Sequence, residues 1–145
     1  MNPLIRRFDA ADEYYFEEGC YIHELSNSPD DPLMSVARAR LPLGGQTRWH
    51  RLHNVVERYL IEAGEGMVEL GEHTPQRVSA GDVVVIPAGC PQRIRCIGEQ
   101  PLVFLAICTP RFEPACYEDV DALSTEAISA AVSARYCPGA KAGSS

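Results

Sequence analysis

His50, His53, Glu57 and Gln92 are the residues of this chain whose types do chemistry when they are gathered. The first three fall within GGQTRWHRLHNVVERYLIEAGEG, residues 44–66, and Gln92 closes GDVVVIPAGCPQ, which begins at Gly81. Imidazole nitrogen, carboxylate oxygen and amide oxygen are all ligands for a divalent transition ion. The same groups also build a buried hydrogen-bond network with no ion. The residue types alone leave both readings open.

For these side chains to meet, the elements carrying them must turn them the same way. Alternate residues of a strand face opposite sides. Across 92–97, Gln92 shares a face with Ile94 and Cys96, while Arg93 and Arg95 take the other. The two arginines belong in water, so Gln92 faces inward. Glu57 shares its face with Tyr59, Ile61 and Ala63, against Arg58, Leu60 and Glu62, and it too looks inward. His50 falls on the face of Leu52 and Arg48. A carboxylate and an amide turned into an apolar interior need a partner, which a metal or a neighbouring polar group supplies.

The chain around them reads as short strands at 20–26, 32–41, 46–52, 58–63, 66–70, 83–87, 92–97 and 102–108. Turn chemistry separates them, as in SNSPDDP, LPLGG, EAGEG, SAGD and PAGCP. That spacing predicts an all-β fold, an antiparallel barrel or jelly roll, rather than βαβ units. One short helix is expected near the C-terminus. Ser124 or Thr125 caps it, Ile128, Ala131, Val132 and Tyr136 share a face, and Pro138-Gly139 stops it. The organisation is then an N-terminal arm with the first strand at 1–30, a barrel at 31–115, and a helix with a frayed tail at 116–145. The segment LVFLAIC is apolar on both faces and needs cover outside, from that helix or from a second copy in a homodimer.

The bulk numbers narrow the function classes. With 145 residues the chain is one domain with a proper core. A net charge of −7 argues against a nucleic-acid partner, which would require a basic face. No apolar run approaches a bilayer span and MNPLIRRFDAADEYY has no signal-peptide core, so a cytoplasmic protein without a membrane partner is expected. Six cysteines form no C-x-x-C pair and read as reduced apolar side chains, with Cys116 and Cys137 the pair to check for a disulfide. No Ser-His-Asp order, phosphate-binding glycine loop or dinucleotide fingerprint occurs.

The two segments resemble the paired motifs of the cupin family. Gly44, five residues, His50, then Glu57, six residues, Gly64 is similar to the first motif, G-x5-H-x-H-x(3 or 4)-E-x6-G. Gly81, five residues, Pro87, Gly89 and Gln92 is similar to the second, G-x5-P-x-G-x2-H-x3-N. The resemblance implies a single-domain cupin barrel holding a divalent ion, Mn, Fe, Ni or Zn, through His50, Glu57 and Gln92. His53, in the turn, stands as a fourth ligand or as a solvated loop histidine. The chain departs from the motifs at Leu52, at Gln92, which replaces a histidine, and at Cys96, which replaces an asparagine. Cupins similar to ureidoglycine aminohydrolase use glutamine at that place as a manganese ligand and share the Pro91-Gln92 pair.

Two further residues are candidates on the substrate side. Arg48, two residues before His50, would hold a carboxylate or phosphate, although arginine in an acidic chain more commonly pairs with a surface carboxylate. Tyr59 would act as acid or hydrogen-bond donor, or simply pack in the core. The expectation is a metal-dependent enzyme of the oxygenase, isomerase or hydrolase class acting on a small polar or anionic molecule. The alternative is a metal-free cupin that binds or senses a small molecule without turnover.

Overall fold

The computed structural model of the chain describes residues 1–17 and 19–121. Among them the strands are β1 (Tyr14–Phe16), β2 (Cys20–Ser26), β3 (Ser35–Leu41), β4 (His50–Leu52), β5 (Val56–Ala63), β6 (Glu65–Leu70), β7 (Gln76–Ser79), β8 (Val83–Ile86), β9 (Gln92–Cys96), β10 (Leu102–Thr109) and β11 (Tyr117–Asp119). They form two antiparallel sheets, β1-β2-β3-β10-β5-β8 and β11-β4-β9-β6-β7. The result is an all-β, jelly-roll-like arrangement. The helix expected at 124–136, and Cys137 of the cysteine pair to be checked, lie outside the described residues. No helix among the described residues is long and apolar enough to cross a membrane.

Period-two alternation builds both inner faces. Along β10, Leu102, Phe104, Ala106 and Cys108 are buried, while Val103, Leu105 and Ile107 are half-buried on the other side. Along β5, Glu57, Tyr59 and Ile61 turn inward, and along β9 Gln92, Ile94 and Cys96 do the same. The core gathers Leu41, Ile61, Ile86, Ile94 and Leu102, each at most 1% exposed.

The expected strands 20–26 and 102–108 appear almost unchanged, whereas 46–52 shortens to His50–Leu52. Residues 46–49 leave regular pairing. Gln46 forms an isolated bridge to Arg95, and Thr47 bonds Ile94 through its amide, which donates to the Ile94 carbonyl, and its hydroxyl, which accepts from the Ile94 amide. Three strands were not expected, β1, β7 and β11. Each is an edge strand of three or four residues, so alternation leaves little trace in it.

β11 is the edge strand next to β4, and charge fastens it. It pairs with β4 so that Asp119 lies opposite His50 and Glu118 opposite Arg51. Arg51 is 8% exposed and donates from Nε to Glu118 Oε1 at 2.5 Å, while His53 Nε2 meets the same oxygen at 2.7 Å. Arg48 Nε donates to Asp119, and its Nη2 lies 3.5 Å from Asp121. From sheet to sheet, Phe16 of β1 meets Tyr117 of β11 edge to face at 5.4 Å.

The Arg51 hydrogen bond, followed by that of His53, holds the Glu118 carboxyl below its ordinary value of 4.5. Arg48 does the same for Asp119. Carboxylates lowered in this way stabilise the fold fully above their ordinary values. That stabilisation is lost as pH falls through their native values.

Two outcomes are expected. Glu118→Gln leaves the buried Arg51 without a charged partner, lowers stability by about 1–3 kcal/mol at neutral pH and flattens the loss of stability below pH 4.5. Denaturant unfolding across that range checks it, and an unchanged acid limb would remove Glu118 from the account. Gly64, at φ +81°, turns β5 into β6, and a Cβ there would stand 2.4 Å from the Pro101 carbonyl oxygen. Gly64→Ala should therefore destabilise by about 2 kcal/mol or more. A wild-type denaturation midpoint would contradict the crowding at this turn.

Candidate functional site

One pocket opens between the two sheets, with about 550 Å3 of empty space counted out to its mouth. Its walls come from β1, β2, β3, β5 and β10 of one sheet and from β4 and β11 of the other. Small side chains, Ala37, Ala39 and Ala106, leave the room, and six aromatic rings line it. Into it come the polar groups of His50, Glu57, Tyr59, Glu24, Tyr14 and Tyr117.

His50 begins β4 and is 2% exposed. Its Nδ1 lies 2.7 Å from the Arg48 carbonyl oxygen. A carbonyl only accepts, so in the neutral ring Nδ1 carries the proton and Nε2 is the basic nitrogen. Tyr117 stacks on the imidazole at 5.1 Å and 21°, fixing the plane of the ring. Glu57 comes from the opposite sheet, 8% exposed, with Cys108 opposite it in register and the Cys108 sulfur 3.6 Å from Glu57 Oε2. Burial, then the negative charge of Glu57, pushes the Cys108 thiol far up, so Cys108 stays protonated and is not a nucleophile.

The other expected site residues lie elsewhere. Gln92 is 1% exposed and sits beside His50 in the β4–β9 pairing, yet it does not line the pocket. Its Oε1 accepts a hydrogen bond of 2.5 Å from the Tyr59 hydroxyl, a tie from one sheet to the other. His53 is 38% exposed by its side chain and is held by Glu118. Arg48 is 45% exposed and paired with Asp119 and Asp121. The alternation that would have carried Arg48 inward stops where β4 begins, two residues later.

The four donors expected for a divalent ion have different surroundings. His50 and Glu57 reach the pocket, the oxygen of Gln92 is engaged by Tyr59, and His53 is engaged outside it. Among the described residues no three of His, Cys, Asp and Glu are grouped as an ion would require.

Glu24 is a pocket residue that alternation reveals and motif spacing does not. It follows Cys20 and Ile22 on the inward face of β2, the same signal that marks Glu57 on β5. Burial raises its pKa above the ordinary 4.5, against a hydrogen bond from Asn27 and the more distant charge of Arg111. Its Oε2 is buried with no hydrogen-bond partner among the described residues. Tyr117 carries no comparable signal, because it lies in a three-residue strand after an irregular segment.

The comparisons with known proteins agree on the architecture. A family model for the cupin domain matches residues 37–108, which include both motif segments. An uncharacterized protein of Methanocaldococcus jannaschii is 31% identical over 125 residues, covering 85% of this chain and 97% of its own length. The structure of the Streptomyces protein Pac13 with uridine overlays with a TM-score of 0.68 at 14% identity, covering 88% of this chain and 98% of that one. A structure from Thermotoga maritima, described as a predicted oxalate decarboxylase, overlays at 0.65 with 22% identity, covering 74% and 99%. Motifs, paired sheets and the matched family model converge, and the chain belongs to the cupin family.

Proposed function

We propose that this chain is a small-molecule enzyme that works by proton transfer, an isomerase or a lyase, with His50 as its base. The observation that carries the reading is the convergence of His50 and Glu57, from opposite sheets and each less than 9% exposed, on one pocket. A buried imidazole whose tautomer is set by a backbone carbonyl and whose plane is set by a stacked ring is a prepared base, not a packing residue.

The roles follow from each group's surroundings. Nε2 of His50 takes a proton from the substrate. The Tyr59 hydroxyl gives its own proton to Gln92, so toward the pocket its oxygen accepts a hydrogen bond and orients a substrate hydroxyl or ammonium. Glu24, in the same wall and with a buried oxygen that has no hydrogen-bond partner among the described residues, holds a donor of the substrate. Glu57 stabilises the positive charge that develops on His50 as it takes a proton. The apolar walls exclude water and strengthen each of these interactions. Pac13 is described as a nucleoside dehydratase, and structures of its variants replace a histidine or one of two tyrosines. Elimination of water is itself a proton-transfer reaction, which lends the reading support at the level of reaction class.

The test is deuterium exchange into candidate substrates in heavy water, followed by mass spectrometry. His50→Gln and Glu57→Gln should each slow exchange by about 100-fold or more with melting preserved. Arg48→Ala, outside the pocket, should stay within about threefold of the parent rate. Full exchange activity in His50→Gln would overturn the assignment. A stoichiometric ion, lost together with activity in both His50→Ala and Glu57→Ala, would replace it with metal chemistry.

A further inference from the structure

Charge sorts ligands before shape does, and the lining of the pocket is one-sided in charge. Glu24 and Glu57 lie in its wall, and among the described residues no lysine or arginine does. Among the described residues, Arg48, Arg51 and Arg111 each have a partner outside it, although Nη1 of Arg51 is buried without one. Arg48 is held by Asp119, Arg51 by Glu118, and Arg111 by Glu113 and the Asn27 side chain. An anion entering would meet two carboxylates and, among the described residues of the wall, no lysine or arginine, which is unfavourable in a medium of low dielectric constant.

The rest of the wall fits the opposite sign. Tyr14, Phe16, Tyr59, Phe104, Phe112 and Tyr117 all line the space. The faces of aromatic rings carry negative potential and attract a cation, more strongly where water is excluded. Glu24 Oε2, buried and without a hydrogen-bond partner among the described residues, is an acceptor that an N–H donor would satisfy. The chain as a whole carries −7, so the surrounding field also draws cations toward the mouth.

We infer that the pocket takes a small organic cation, an amine or quaternary ammonium, and rejects carboxylates and phosphates. The inference rests on the reading of this pocket as the substrate site, and it replaces the anionic class that Arg48 suggested from sequence. The ammonium group lies between the aromatic rings and the carboxylates of Glu24 and Glu57. The remainder of the ligand reaches His50.

Two sets of near-isosteric probes of different charge test it by calorimetry on the full chain. They are benzylamine, benzyl alcohol and benzoate, and tetramethylammonium, tert-butanol and pivalate. The cation of each set should bind about tenfold or more tighter than its neutral counterpart, with the anion weakest. Glu24→Gln should reduce cation binding by about tenfold and leave the neutral probes unaffected. His50→Gln, which removes the proposed base, should leave the order of charges intact. A neutral or anionic probe binding as well as the cation overturns the inference, and so does an absence of binding by every probe. Because the readout is equilibrium binding, an inverted order of charges beside His50-dependent exchange would overturn the charge class alone. Loss of that exchange with the cation preference intact would overturn the catalytic reading alone.

Discussion

An imidazole and an amide have to enter the space between two apolar sheets without being stranded there, beside two carboxylates, and the rest of this structure is arranged around that constraint. A buried polar group with no partner is destabilising by about 1–3 kcal/mol, so several at once would consume much of a small domain's stability. The Tyr59 hydroxyl meets Gln92 across the sheets, the Arg48 carbonyl takes the Nδ1 proton of His50, and Thr47 bonds both backbone groups of Ile94. These ties fix the side chains at the site while the core of Ile61, Ile86, Ile94 and Leu102 packs around them. What is left facing the pocket is the set of groups with acid–base use.

The same ties separate two neighbours that the motifs placed together. His50 and Gln92 are opposite each other in register, yet one faces the pocket and the other is withdrawn to Tyr59. A glutamine in place of a histidine changes more than ligand strength. An amide presents a hydrogen-bond acceptor that a buried tyrosine engages, and that tyrosine is itself part of the pocket wall. The edge strand β11 works in the same direction. Its Glu118 anchors His53 and its Asp119 anchors Arg48, keeping both outside the wall to which β11 contributes Tyr117.

Much of this was legible in the sequence, where burial on one face makes alternation explicit. Strand 20–26 and the inward faces of Glu57, Tyr59 and Gln92 could be read directly, since apolar neighbours two residues away declare the face. The limits have physical causes as well. Arg48 was aligned with His50 by a strand pattern that residues 46–49 do not follow. β11 and its Tyr117 leave no periodic trace in three residues. Glu24 was legible on the face of Cys20 and Ile22, but no motif drew notice to it. The partner that an inward glutamine finds depends on a tyrosine 33 positions away, which only the pairing of the two sheets brings near.

The tautomer of His50 is where the account of this pocket is most exposed, because the direction of proton transfer hangs on it. In free imidazole the proton favours the other nitrogen, so the arrangement seen here must be imposed by the Arg48 carbonyl. Nitrogen NMR of the histidine-labelled protein at neutral pH, with His50→Gln to assign the signal, measures it directly. The account predicts that the neutral form of the ring carries its proton on Nδ1, with Nε2 showing the shift of an acceptor. A His50 protonated on Nε2 would contradict it and leave the pocket without its base.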